Sequence, residues 1–126
     1  MDQNTNALNW FEIPATDIQR SKKFYETIFE IEMEYMEMEG TKMAMFPFTP
    51  GNGKASGALV EGEHHKPSGE GTFVYLNANP AMDNVLAKVE AAGGKIMQPK
   101  MSIGEHGHVA YIIDTEGSVV GIHSME

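Results

Sequence analysis

The chain has 126 residues, with 18 Asp and Glu against 9 Lys and Arg, a formal net charge of −9, and no cysteine. That length is one domain, and the charge repels nucleic acid and anionic membranes alike. Without cysteine there is no disulfide, no thiolate nucleophile and no Cys-ligated metal. No run of about twenty apolar residues offers a membrane span. The N-terminal MDQNTNALNW lacks the basic and apolar regions of a secretion signal. The expectation is a cytoplasmic protein with an ordinary core, since 41% of its residues are hydrophobic. Its acidity suits solubility and would also attract a cationic ligand.

Residues 8–14, LNWFEIP, read as a strand that Pro14 ends. Thr16 or Asp17 can then cap a helix by accepting a backbone N–H. Ile18, Ser21, Phe24, Tyr25 and Ile28 form its apolar stripe, with Lys22 and Lys23 on the other side. Three strands follow. In IEMEYMEM, Ile31, Met33 and Tyr35 alternate with Glu32 and Glu34, and the Glu30–Glu39 acidic run reads as a wet face. Gly40 turns the chain into KMAMFPF, and a Gly/Pro-rich loop leads to GALVEG. The polar EGEHHKPSGEG reads as a link, with His64 and His65 solvated.

The pattern then restarts. GTFVYLNA is a strand, and PAMDNVLAKVEAAGG is a helix that Gly93–Gly94 stops. KIMQP, HVAYIID and SVVGIHS are three more strands, the last two joined by an Asp114–Gly117 turn. An offset of 64 places Ile18 on Met82, Tyr25 on Val89, Glu26 on Glu90 and Gly57 on Gly121. The predicted fold is therefore α+β. Module 1 (about 7–61) and module 2 (about 72–126) are each βαβββ, joined by a link over about 62–71. Together they form a curved mixed sheet around a cavity, with helices outside.

The stretch from Phe11 to Phe29, FEIPATDIQRSKKFYETIF, resembles the opening of vicinal oxygen chelate proteins, where a strand runs into an Asp-Leu-x-x-(Ala/Ser)-x-x-Phe-Tyr helix. Leu86–Gly94 followed by Lys95–Pro99, and Asp114-Thr-Glu-Gly117 through Ile122, are similar to the second half of that family. This is the glyoxalase, bleomycin-resistance and dioxygenase superfamily, and the resemblance spans essentially the whole chain. It implies a dimer and a divalent metal held by His and Glu on the first and last strand of each half. The matching positions here are Trp10, Gly57, Val74 and Gly121. None has a metal-binding side chain, so the resemblance implies no metal at these positions.

The remaining candidates lie near those positions. Trp10 and Glu12 share a strand face, and His123 lies two residues beyond Gly121. Glu12 and His123 are thus expected to meet in the cavity, as an acid–base pair, as a ligand-amine site, or as hydrogen-bonding partners without chemistry. Met43 and Met45, or Phe46 and Phe48 on the opposite face, would line an adaptable wall with Trp10, or simply pack the core. His108 is a further candidate for the ligand site. His106 and His108 read as a loop entering a strand, with a metal site that adds His123 as the alternative. Tyr75 and Tyr111 are expected in the core on the helix-facing side. The expected function is small-molecule binding without the family metal. The alternatives are a lyase, isomerase or dioxygenase with a non-standard site, and an antibiotic-sequestering protein.

Overall fold

A computed structural model describes residues 1–126. Its elements run β1 (Trp10–Pro14), α1 (Ile18–Phe29), β2 (Glu34–Met38), β3 (Thr41–Met45), β4 (Ser56–Glu61), β5 (Tyr75–Asn77), α2 (Asp83–Val89), β6 (Lys95–Ser102), β7 (His108–Ile113) and β8 (Val119–Ser124). A 3₁₀ turn, Gly104–His106, precedes β7. The strands form two four-stranded mixed sheets, ordered β1-β4-β3-β2 and β5-β8-β7-β6. In each, the first strand of the module runs parallel to the last, which the long helical crossover permits. The double βαβββ reading is therefore the architecture.

The helical stripe read from the sequence is the buried stripe: Ile18, Ser21, Phe24, Tyr25 and Ile28. Asp17 is the N-cap, its Oδ1 accepting the Arg20 N–H at 3.1 Å. One core of 19 buried residues spans both modules, taking Ile13, Ala44 and Leu59 from sheet 1 and Leu76, Ala110 and Ile122 from sheet 2. Each sheet thus has one face against the helices and one open face.

Module 2 departs from expectation in its local lengths. Its first strand is ordered as a ladder only over Tyr75–Asn77, and α2 ends at Val89 rather than reaching Gly93. No side chain caps α2, which starts after Met82. By contrast β6 continues through Pro99 to Ser102, with two irregularities in its register against β7. A bulge lets a proline lie in the strand, because the lost N–H falls where the ladder is already interrupted.

The offset also needs correction. The Ala15 N–H donates to Val60 O, and the Ala78 N–H donates to His123 O in the same way, so these strands repeat at 63 residues. The helices still align at 64, with Ile18 and Met82 both buried. The loop Ala78–Met82 is one residue longer than Ala15–Ile18, and the excess is lost again before β8. One residue matters in a strand because side chains alternate faces.

Candidate functional site

The open face of sheet 1 can be read row by row from its register. Glu12 lies beside Ala58, which lies beside Met45; Pro14 lies beside Val60, then Met43, then Met36. Trp10 shares the Glu12 face and makes an edge-to-face contact with Phe48, ring centroids 5.6 Å apart. Trp10, Glu12, Met43 and Met45 therefore do share a face. Phe46 lies on the other side, buried against Phe11 and Tyr25.

Glu12 is the polar centre of this face. Its Oε1 lies 2.8 Å from His65 Nε2, and its Oε2 accepts a long bond, 3.4 Å, from the Trp10 indole N–H. His65 comes from the link, where a solvated side chain is expected from the sequence. After β4 the His65 N–H bonds back to Gly62 O at 3.2 Å, and this turn folds the imidazole onto the open face. Its Nδ1 is buried with no partner. The Nε2–H tautomer donating to Glu12 satisfies the one ring nitrogen that can be satisfied. Periodicity could not find this contact, because a turn residue belongs to no repeating face. The only signal was a His three residues after a Gly that follows a strand.

Beside Trp10 and Glu12 lies a groove of about 390 Å³, walled by Lys66, Ser68 and Glu70 of the link, by Thr72 just after it and by Val119 at the start of β8. That volume is within the range of small-molecule sites.

His123 does not join Glu12. It sits on the open face of sheet 2, and its Nε2 bonds to the His106 carbonyl at 2.7 Å. His108 pairs with Ser124 and shares the face of Ala110 and Ile112, which is the helix side, so it and His123 point to opposite faces of the sheet. The His106 side chain is exposed in the 3₁₀ turn. The expected meeting of His106, His108 and His123 therefore does not form, because i and i+2 across the turn Gly107 do not share a strand face.

Tyr75 and Tyr111 are also displaced from expectation. Both lie on the open face of sheet 2, flanking Gly121, with their hydroxyls 3.1 Å apart. Phe73 joins them, 5.1 Å from the Tyr111 ring. A Cβ on Gly121 would come within 2.5 Å of the Tyr75 ring, so the glycine is the floor on which that ring rests. The Tyr111 hydroxyl, and then partial burial, raise the Tyr75 phenol above its ordinary value.

The 63-residue strand offset revises the four metal-equivalent positions. Trp10 and Gly121 do face the open side. Gly57 faces the helices, packed under Phe11, and Val74 also packs against the core. Their open-face counterparts are Ala58 and Phe73. Trp10, Ala58, Phe73 and Gly121 still offer no metal-ligating side chain. Nor does the chain bring three His, Asp or Glu side chains together as a metal cluster. The donor set does not fit the divalent ion that the resemblance implies.

The sequence profile of the Glyoxalase/Bleomycin resistance protein/Dioxygenase superfamily matches residues 7–122. The chain belongs to this superfamily. Among its relatives is CFP32 of Mycobacterium bovis and Mycobacterium tuberculosis, provisionally named a glyoxylase, 31% identical over 117 residues. The match takes 90% of this chain but 44% of CFP32, so the chain spans under half the length of that relative. A glyoxylase-like domain-containing protein of Didymella fabae is 30% identical and covered over 91% of both chains. Among solved structures, glyoxalase I from Zea mays superposes with a TM-score of 0.70 at 19% identity, covering 92% of this chain and 45% of that one. A family enzyme from Burkholderia phytofirmans superposes at 0.68 and 17% identity, covering 96% and 100%. At such identities the superpositions show the superfamily's fold. No helix is long and apolar enough to cross a membrane.

Proposed function

We propose that this superfamily member binds a small organic molecule on the open face of sheet 1, without the family's divalent metal. The observation that carries the reading is the carboxylate of Glu12, held by His65 at 2.8 Å on a face otherwise built from Trp10, Phe48, Met43 and Met45. A carboxylate beside an indole ring favours an organic amine, through ion pairing and cation–π attraction. Methionines let the wall adapt to the ligand's shape. The exposed Met36 and Met38 on sheet 1 and Phe73 and Tyr75 on sheet 2 support a homodimer in which a second copy covers these faces.

Two measurements test this. Protein incubated with Ni, Zn, Mn and Fe and then desalted should retain no stoichiometric metal; tight one-to-one retention overturns the metal-free reading. A thermal-shift panel of aromatic amines and their neutral isosteres should stabilise the protein only with the amines, by an amount that grows with ligand concentration. Glu12→Gln should lower amine affinity about tenfold, and His65→Ala by less. Equal shifts for amines and neutral isosteres would remove Glu12 from recognition.

The same geometry supports a second reading, a lyase or isomerase in which Glu12 takes a proton from the bound molecule. His65 would then be a positioning residue, fixing one carboxylate oxygen and leaving the other to react. Turnover that disappears in Glu12→Gln and keeps its pH profile in His123→Ala would favour it.

A further inference from the structure

A second groove, of about 480 Å³, is lined by both modules and meets the first only at Phe11. It lies between the C-terminal turn of α1, the start of β4 and the loop that leads from β5 into α2. Its floor is apolar, made by Ile28 and Phe46 of module 1 and Val85 of module 2. Neither Trp10 nor Glu12 contributes, so it is distinct from the open-face site and independent of the function proposed there.

The rim is made of three amides, Asn77, Asn79 and Asn84, together with Lys88 and Glu30. The hydrogen bonds of these groups decide which polarity remains available. Asn77 Oδ1 accepts the Asn79 backbone N–H at 2.9 Å. Asn79 Oδ1 accepts the Met125 backbone N–H at 2.7 Å. Both amide oxygens are thus occupied within the protein, and what each amide keeps for a ligand is its NH₂ donor. Lys88 Nζ adds a cationic donor, 3.1 Å from Asn84 O and 3.5 Å from Glu30 Oε1. Glu30 is the one rim carboxylate. Its side chain is 75% exposed, so its pairing with Lys88 is weak and easily exchanged. In a protein of net charge −9 this rim is locally neutral, with one cation against one carboxylate and the free amide donors beside them.

We propose that this seam groove binds a compact apolar carboxylate, its hydrocarbon body on Ile28, Phe46 and Val85 and its carboxylate replacing Glu30 at Lys88. The volume suits a molecule of benzoate size with room to spare. Because the floor comes from both modules, such a ligand would also brace one module against the other.

The test uses benzoate as probe, with benzamide and benzylamine as controls, followed by amide chemical shifts on the whole labelled chain. Benzoate should shift Asn79, Val85 and Lys88 in a saturable way, benzamide more weakly, and benzylamine not at all. Lys88→Glu should weaken benzoate binding at least tenfold, and Lys88→Arg should restore it. Val85→Trp should abolish it by filling the groove, and Lys88→Glu covers the case in which the tryptophan variant does not fold. Benzoate shifts centred on Trp10 and Glu12, no saturation at millimolar probe, or equal shifts from benzylamine would each overturn the proposal.

Discussion

The open faces of the two sheets are built on the same strand pattern and carry different chemistry. Where sheet 1 has Trp10, Glu12 and Ala58, sheet 2 has Phe73, Tyr75 and Gly121 at the corresponding places. One face centres on a carboxylate held by an imidazole; the other is three aromatic rings, of which Tyr75 rests on a glycine floor. The helix-facing sides differ far less. Ile13 corresponds to Leu76, Ala15 to Ala78 and Leu59 to Ile122, all of them buried. The repeat thus fixes the side on which the common core depends and leaves the other side free. Chemistry is to be sought where the two halves disagree.

The two glycines Gly57 and Gly121 give the sharpest way to break this comparison. If they occupied equivalent places, as a uniform 64-residue repeat implies, adding a methyl group would cost the same at each. They lie on opposite faces instead. A Cβ on Gly57 would fall on the backbone carbonyl oxygen of Phe11, inside the core, where nothing can yield cheaply. Gly57→Ala should therefore cost about 3 kcal/mol in urea unfolding. At Gly121 the obstacle is the Tyr75 ring, which is 47% exposed and can swing away. Gly121→Ala should cost only about 1 kcal/mol, and should alter tyrosine fluorescence, which Gly57→Ala leaves to the unfolding transition. Equal costs would mean that the two glycines lie on the same face of their sheets.

This pair also shows what the sequence could and could not reveal. The α1 stripe, the Asp17 cap and the order of elements were legible, because helical spacing and turn residues act locally. Face assignment in module 2 was not. Ala78–Met82 holds one residue more than its counterpart, and a single residue turns Tyr75 and Tyr111 from core to open face. At the site, Trp10, Glu12, Met43 and Met45 were legible as one face through strand alternation. The Glu12 partner was not: it is His65, carried back by a turn, while His123 is occupied with the His106 carbonyl.

Joining the modules is a second task, to which one buried hydrogen bond contributes beside the shared core and the Glu116 contacts. The Tyr25 hydroxyl on α1 donates to Asp114 Oδ2 in the β7–β8 turn, at 2.7 Å. Burial, and then the Asp114 carboxylate, push the Tyr25 phenol well up, so it remains a donor. Tyr25→Phe removes the donor and leaves a buried carboxylate oxygen unpaired. The expected loss is about 2 kcal/mol, read as a lower urea midpoint with an unchanged slope. A drop in slope would mean instead that the modules had begun to unfold separately.

The smallest effects are pH slopes, and the two carboxylates of the β7–β8 turn should give opposite signs. Burial raises Asp114 above its ordinary value of 3.8, and the bonds from Tyr25, Ser118 and Glu116 offset this only in part. The folded state therefore binds its proton more readily than the unfolded state. Relative to Asp114→Asn, the native protein should lose stability as pH rises from about 3.8 through the raised folded value, then level off. Burial also acts upward on Glu116, but there it is outweighed. The Arg20 guanidinium donates at 2.7 and 3.0 Å, the Asp17 N–H at 2.7 Å and the Thr115 hydroxyl at 2.9 Å, and Glu116 falls below its ordinary 4.5. Relative to Glu116→Gln, the native protein should hold its full advantage above pH 4.5 and lose it as pH falls through the lowered folded value. Salt should shrink this second advantage, because Arg20 is half exposed, and leave the Asp114 slope nearly unchanged. Parallel slopes in the two variants would show that the turn titrates as a single unit, and that the buried Tyr25–Asp114 contact and the half-exposed Arg20–Glu116 pair are one lock rather than two.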